Sequence, residues 1–235
     1  MIISGIEGSS FLDYPGKLSC VLFTQGCNYD CFYCHNRALI ALEDGEISYQ
    51  EVESFLKKRV GFLSAVVISG GEPTLHRDLS RYFLLARELG FSTKLDTNGS
   101  RPEVLRSLLE GGLVDYVAMD VKAPWSRYRE IAGLQADARN VAKCVSLLQA
   151  YAATHPDFFW EVRTTVAPGL KAEDLLEIAA MLPKVMKWVL NRYRVPKVFK
   201  QEDEKRVNLP ALSQREVAIL EESLLQLQPN LKRVR

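Results

Sequence analysis

The chain has 235 residues, 47% of them apolar and 25% charged, which at roughly 150 residues per domain suits one large domain with a real core. Thirty Lys and Arg against 29 Asp and Glu leave a net charge of +1, which argues against a nucleic-acid footprint, and no apolar run approaches the roughly 18 residues of a membrane span. Five cysteines, three of them within eight residues, do not resemble a secreted disulfide framework, and the start from Met1 to Glu7 lacks the regions of a signal peptide. The expectation is therefore a cytoplasmic protein with metal chemistry in a reducing compartment.

In chain order, short β-branched runs at residues 18–23, 65–69, 92–96, 116–120, 158–166 and 187–190 predict strands, with helical patterns between them. Ser48 and Glu51 form a capping box that opens a stripe of Val52, Phe55 and Leu56. Leu79, Tyr82, Phe83 and Ala86 make a second stripe ending at Gly90, and Pro102 and Gly111-Gly112 bracket a third helix. Residues 195–210 are polar and bounded by prolines, so a long loop is expected there. Ser213 and Glu216 then open a last helix with Val217, Leu220, Leu224 and Leu227. Six βα units are too few for the usual eightfold barrel of about 250 residues. The expected fold is a single α/β domain over 1–235: a partial (β/α)6 TIM-like barrel of parallel strands with outer helices. Its core spans about 16–195, and a C-terminal loop and helix fill 196–235.

The strongest chemical signal is Cys27-Asn28-Tyr29-Asp30-Cys31-Phe32-Tyr33-Cys34, directly after the first predicted strand. Three thiolates on one tight loop can hold three irons of a cubic cluster and leave the fourth open to substrate. A zinc site with His35 or a distant fourth ligand is the alternative, although neighbouring residues such as Cys34 and His35 chelate one ion awkwardly. Gly70-Gly71-Glu72-Pro73 follows the second strand, where two glycines let backbone approach a ligand closely. Asp96, Asp120 and Lys122 end later strands, and in a parallel barrel such ends share one face with Cys27 and Glu72. Arg163, within Trp160-Glu161-Val162-Arg163, is a further candidate, while Cys20 and Cys144 fit apolar stripes and read as packed thiols. The run Arg192, Tyr193, Arg194, Lys197, Phe199 and Lys200 reads as a solvated loop or a surface for an acidic partner.

At the triplet the sequence resembles the radical S-adenosylmethionine superfamily, whose signature is C-x3-C-x-aromatic-C, with Tyr33 in the aromatic place. Gly-Gly-Glu-Pro resembles the superfamily's second motif, where backbone and Glu meet the ammonium group of the cofactor. Residues 13–17, Thr24-Gln25-Gly26-Cys27, Cys34-His35-Asn36, Lys94-Leu95-Asp96-Thr97-Asn98-Gly99 and residues 115–124 resemble glycyl-radical-enzyme activating proteins. The Lys-Leu-Asp-Thr-Asn-Gly form is similar to activases of anaerobic ribonucleoside-triphosphate reductase, and the resemblance covers about residues 5–195.

The resemblance implies one 4Fe–4S cluster on Cys27, Cys31 and Cys34, and S-adenosylmethionine held by Tyr33, Gly70, Gly71, Glu72, Asp96, Thr97, Asp120, Lys122 and Arg163. As in related activases, it also implies a monovalent cation at Asp96, Thr97 and Asp120. The implied partners are a glycyl radical enzyme, foremost the anaerobic reductase, and an electron donor such as flavodoxin or ferredoxin. Formate-lyase activators carry a His near the end of the last barrel strand, whereas residues 189–193 read Val-Leu-Asn-Arg-Tyr. That departure argues against pyruvate formate-lyase as the target. The alternatives are activation of another glycyl radical enzyme, a small-molecule radical enzyme resembling 7-carboxy-7-deazaguanine synthase, or a zinc-stabilised interaction module.

Overall fold

The computed structural model describes residues 1–41 and 47–233, so the last residues of the expected C-terminal segment lie outside it. Eight strands form one sheet in chain order: β1 (Ile3–Ser10), β2 (Ser19–Thr24), β3 (Ala65–Gly70), β4 (Ser92–Thr97), β5 (Tyr116–Asp120), β6 (Phe159–Val166), β7 (Trp188–Arg192) and β8 (Leu231–Arg233). β1 pairs antiparallel with β2, and every later neighbour is parallel. The order runs from β1 to β8 without closing, so the sheet is a partial barrel.

Helices connect the parallel strands: α1 (Tyr49–Lys57), α2 (Leu79–Glu88), α3 (Pro102–Glu110), α4 (Tyr128–Ala132), α5 (Ala138–Ala152) and α6 (Ala172–Met181), followed by α7 (Glu204–Val207) and α8 (Gln214–Leu227). Both expected capping boxes form, at Ser48 with Glu51 and at Ser213 with Glu216. Gly90 and Gly112 take the left-handed conformation just past α2 and α3, which lets the chain leave each helix without a Cβ clash. Leu227 is an exception on the last stripe: at the final turn of α8 it is exposed.

The six expected strands are β2 to β7. Two edge strands were not expected. β1 is mostly Ser and Gly, a composition that reads as loop, yet pairing with β2 satisfies its backbone groups. β8 is the three-residue run Leu-Lys-Arg, too short to show alternation. The expected loop at 195–210 is also corrected, because it contains a 3₁₀ turn at Gln201–Asp203 and then α7. Val207 is buried there and Tyr193 Oη donates to its carbonyl at 2.6 Å.

Period-two alternation sorts the strand residues onto two faces. Leu22, Ile68, Leu95, Val117, Trp160 and Trp188 pack beneath the helices in the main core. On the opposite face, Tyr14, Val21, Ala65, Val67 and Tyr116 form a smaller cluster, with Tyr14 edge-on to Tyr116 at 5.5 Å. Continuing along that inner face by steps of two reaches Ser69, Asp96, Asp120, Arg163, Thr165 and Asn191, all at the carboxyl ends of their strands. All six line one cavity of about 360 Å³.

Candidate active site

The cysteine loop is seated by backbone. Gly26 has φ +91°, its N–H donates to Leu39 O at 2.8 Å, and the Cys27 N–H donates to Ile40 O at 3.1 Å. Gln25 Nε2 donates to Ala38 O and Ala41 O at 3.0 and 2.9 Å, closing the loop on itself. The end of β3 braces it from the other side: Gly71 N–H donates to Thr24 O at 2.9 Å and Glu72 N–H to Gly26 O at 2.8 Å. A Cβ at Gly71 would fall 2.1 Å from Gly26 O, and one at Gly70, where φ is +115°, 2.4 Å from Thr24 N. Both glycines line the cavity, but the close backbone approach they permit is first to the cysteine loop itself.

Cys27, Cys31 and Cys34 all line the cavity, joined there by Tyr33, Gly70, Gly71, Asp96, Thr97, Asp120, Lys122 and Arg163. Of the residues expected to hold the cluster or the cofactor only Glu72 is missing from its wall. Burial pushes the Cys27 thiol up to about 12 and the Cys31 thiol up to about 11, and raises Cys34 in the same way. Thiolates at this place therefore need a strong positive partner, which an iron cluster supplies. Among the described residues no three or more His, Cys, Asp or Glu side chains are grouped to hold a single metal ion, and His35 is exposed. Tyr29 Nα donates to Cys27 Sγ at 3.4 Å, and Asn98 Nδ2 lies 3.8 Å from the same sulfur. Tyr29 and Tyr33 line the cavity, while their hydroxyl oxygens are buried away from it.

Beside the thiols stands a network of charges. Arg163 Nη1 lies 3.2 Å from Asp96 Oδ2 and its Nε 3.2 Å from Asp120 Oδ1, so one guanidinium spans both aspartates. Lys94 Nζ is 2.8 Å from Asp96 Oδ1, and Lys122 Nζ 2.9 Å from Asp120 Oδ2. Burial raises both carboxyls, but Arg163 with Lys94 at Asp96, and Lys122 with Arg163 at Asp120, outweigh it and leave both below the usual range. Lys122 is held protonated, its burial outweighed by Asp120, Cys31 and the neighbouring tyrosines.

Glu72 stands apart from the other expected residues. Its carboxylate is fully buried behind the cavity wall. Oε1 accepts from Thr74 N–H at 3.1 Å, from the Thr74 hydroxyl at 2.5 Å and from Thr97 Oγ1 at 2.7 Å, while Oε2 accepts from Asn98 N–H at 2.6 Å. Accepting from these donors, it orders the loop after β4.

Sequence reasoning passed over three residues. Lys94 is two before Asp96 on the same strand and so shares its face, a signal that alternation carries. Asn98 lines the cavity and bonds Asn28 Oδ1 at 3.1 Å, holding the cysteine loop to the end of β4. Asn191 lines it from β7, in the region where formate-lyase activators have their His. Cys20 and Cys144 are fully buried packed thiols, as expected. In the basic run, Lys200 pairs with Asp30, and just beyond the run the Arg206 guanidinium sits 3.9 Å from the Phe32 ring, so this segment backs the cysteine loop.

Comparison with known proteins agrees with this geometry. Residues 21–182 match the family model of the radical SAM superfamily. A Methanocaldococcus jannaschii protein with the provisional name of glycyl-radical enzyme activating enzyme is 35% identical over 215 residues, 89% of this chain and 86% of that protein. The pyruvate formate-lyase 1-activating enzyme of Escherichia coli is 33% identical over 129 residues, 51% of each chain. Streptococcus suis SuiB bound to S-adenosylmethionine shares the fold, with a TM-score of 0.65, 14% identity and coverage of 91% of this chain; the match spans 51% of SuiB. No helix among the described residues is long and apolar enough to cross a membrane. The chain belongs to the radical S-adenosylmethionine superfamily and, within it, to the glycyl-radical-enzyme activating enzymes.

Proposed function

We propose that this enzyme works in the cytoplasm on an anaerobic ribonucleoside-triphosphate reductase, taking its electron from a flavodoxin or ferredoxin. A bound cluster would supply the single electron for reductive cleavage of S-adenosylmethionine, the chemistry by which such an enzyme would take a hydrogen atom from a backbone glycine of its partner. Cys27, Cys31 and Cys34 hold the cluster. Lys122 and Arg163 offer the positive charge that a cofactor carboxylate needs, and Ser69, Gly70 and Gly71 line the same cavity. The half-open cavity at the strand ends can admit a peptide loop while excluding bulk water from the radical.

The observation that carries this reading is the cavity itself, where three thiols and the Asp96–Arg163–Asp120–Lys122 network share one wall. The choice of reductase rests on the Lys-Leu-Asp-Thr-Asn-Gly form and on the absence of His from residues 189–193, the region where the resemblance to formate-lyase activators would place one. Anaerobic mixing with the reductase, S-adenosylmethionine and a low-potential reductant should give a glycyl doublet by electron paramagnetic resonance on the partner chain. A doublet on pyruvate formate-lyase and none on the reductase would transfer the assignment to that partner.

A further inference from the structure

The monovalent cation implied by the resemblance does not fit the groups that would hold it. A shared cation needs oxygens of Asp96 and Asp120 that no other positive charge faces, yet each of their four carboxylate oxygens already faces a cationic nitrogen. Asp96 Oδ1 has Lys94 Nζ at 2.8 Å and Oδ2 has Arg163 Nη1 at 3.2 Å. Asp120 Oδ1 has Arg163 Nε at 3.2 Å and Oδ2 has Lys122 Nζ at 2.9 Å. Thr97 Oγ1 donates to Glu72 and accepts from Gly99 N–H, so it too is engaged.

We propose that Lys94 and Arg163 do the work of that cation, so that this enzyme binds its cofactor without potassium or sodium. Two features make the substitution physical. Lys94 is almost wholly buried and anchored at its far side, its Nζ donating to Asp13 O at 2.6 Å, so its charge is fixed in place. Arg163 presents a planar fork, which binds two carboxylates at once and cannot lose its proton. Three side-chain cations against two aspartates leave a surplus of one positive charge. Among the described residues these three cations form ion pairs with no other carboxylate: Glu161 is paired with Lys187 at 2.7 Å, and Asp13 meets Lys94 through its carbonyl. That surplus matches one carboxylate of the cofactor, whereas an added metal cation would meet three like charges at close range.

The inference rests on the cofactor site proposed above, and the test separates the two. Cluster-loaded protein is dialysed against S-adenosylmethionine in potassium chloride and in tetramethylammonium chloride at matched ionic strength, the latter cation being too large for such a site. Wild-type affinity should agree within about twofold between the salts, and Arg163→Met should bind about tenfold more weakly in tetramethylammonium than in potassium, because it frees one oxygen of each aspartate. A tenfold or larger loss for the wild type in tetramethylammonium overturns the proposal, as does an Arg163→Met variant that binds like the wild type in both salts. Arg163→Lys, which keeps the charge, should stay salt-independent and serves if the Met variant does not fold. Thallium(I) resonance spectroscopy reads the cation directly: one saturable thallium per wild-type chain refutes the proposal, and none supports it, even if cofactor binding fails and the cofactor site itself is lost.

Discussion

Glu72 Oε2 accepts the backbone N–H of Asn98 at 2.6 Å, tying the end of β3 to the loop after β4. Asn98 in turn reaches the cysteine loop through Asn28, so the acid acts on the cavity through backbone placement.

Glu72→Ala should therefore destabilise the fold before it affects ligand contacts. It strands the N–H groups of Thr74 and Asn98 in a buried place, at roughly 1–3 kcal/mol each. Urea unfolding should show a lowered midpoint and iron content should fall. A wild-type midpoint combined with weakened cofactor binding would put the carboxylate back in the cavity. Burial holds the Glu72 carboxyl above its usual 4.5. Its contribution is thus greatest below that pH and declines as pH rises towards the folded value, so Glu72→Gln should narrow its deficit against the wild type at higher pH.

Gly71→Ala is expected to unseat the cysteine loop, since the new methyl would lie 2.1 Å from Gly26 O, a backbone atom that cannot rotate away. Overpacking of this kind destabilises by roughly 1–3 kcal/mol, and here it should also lower iron retention. Gly61→Ala is the control: φ is +80° but nothing lies within 4 Å, so the expected loss is only about 1–2 kcal/mol with iron unaffected. Equal iron content in the two variants would mean that the glycine pair serves only the ligand side.

Much of this was legible in the chain because the barrel strands repeat one rule. Alternation identified β2 to β7, and motif residues at their carboxyl ends fell on one cavity wall. What was missed shares a physical reason, namely dependence on partners distant in sequence. β1 and β8 lack an apolar pattern and exist by edge pairing, and α7 is ordered by Tyr193 and the burial of Val207. Glu72 sits in a motif that resemblance assigns to the ligand, but the direction of its carboxylate depends on donors from Thr97 and Asn98, which no local pattern reveals.

Acid titration should report the charge network. Asp96 and Asp120 are held below their usual 3.8 by Arg163 and the two lysines, in spite of burial. Such groups stabilise the fold above the unfolded value, and the benefit is lost as pH falls through the lowered folded value. Removing the guanidinium raises both carboxyls, so Arg163→Met should unfold at a higher pH than the wild type when followed by circular dichroism. Coincident acid midpoints would show that the ion pairs are too well solvated to matter.

The cysteines divide into two sets with opposite expected behaviour. Cys27, Cys31 and Cys34 line the cavity, whereas Cys20 packs into the main core and Cys144 Sγ donates to Gly99 O at 3.2 Å under α5. Single alanine variants of the first set should lose the iron-dependent absorption of anaerobically reconstituted protein and all cleavage of S-adenosylmethionine, because an iron loses its only protein ligand. Cys20→Ala and Cys144→Ala delete a small buried sulfur, so they should destabilise by roughly 1–2 kcal/mol while keeping iron and cleavage. Cys144→Ala has one added sensitivity: Gly99 follows Asn98, and loss of the sulfur contact loosens the turn that presents Asn98 to the cavity. Cofactor affinity should then fall slightly at full iron occupancy, a combination that no variant of the cavity triplet can give. Retained cleavage in any of the triplet variants, or about one zinc per chain in place of iron, would refute the cluster assignment.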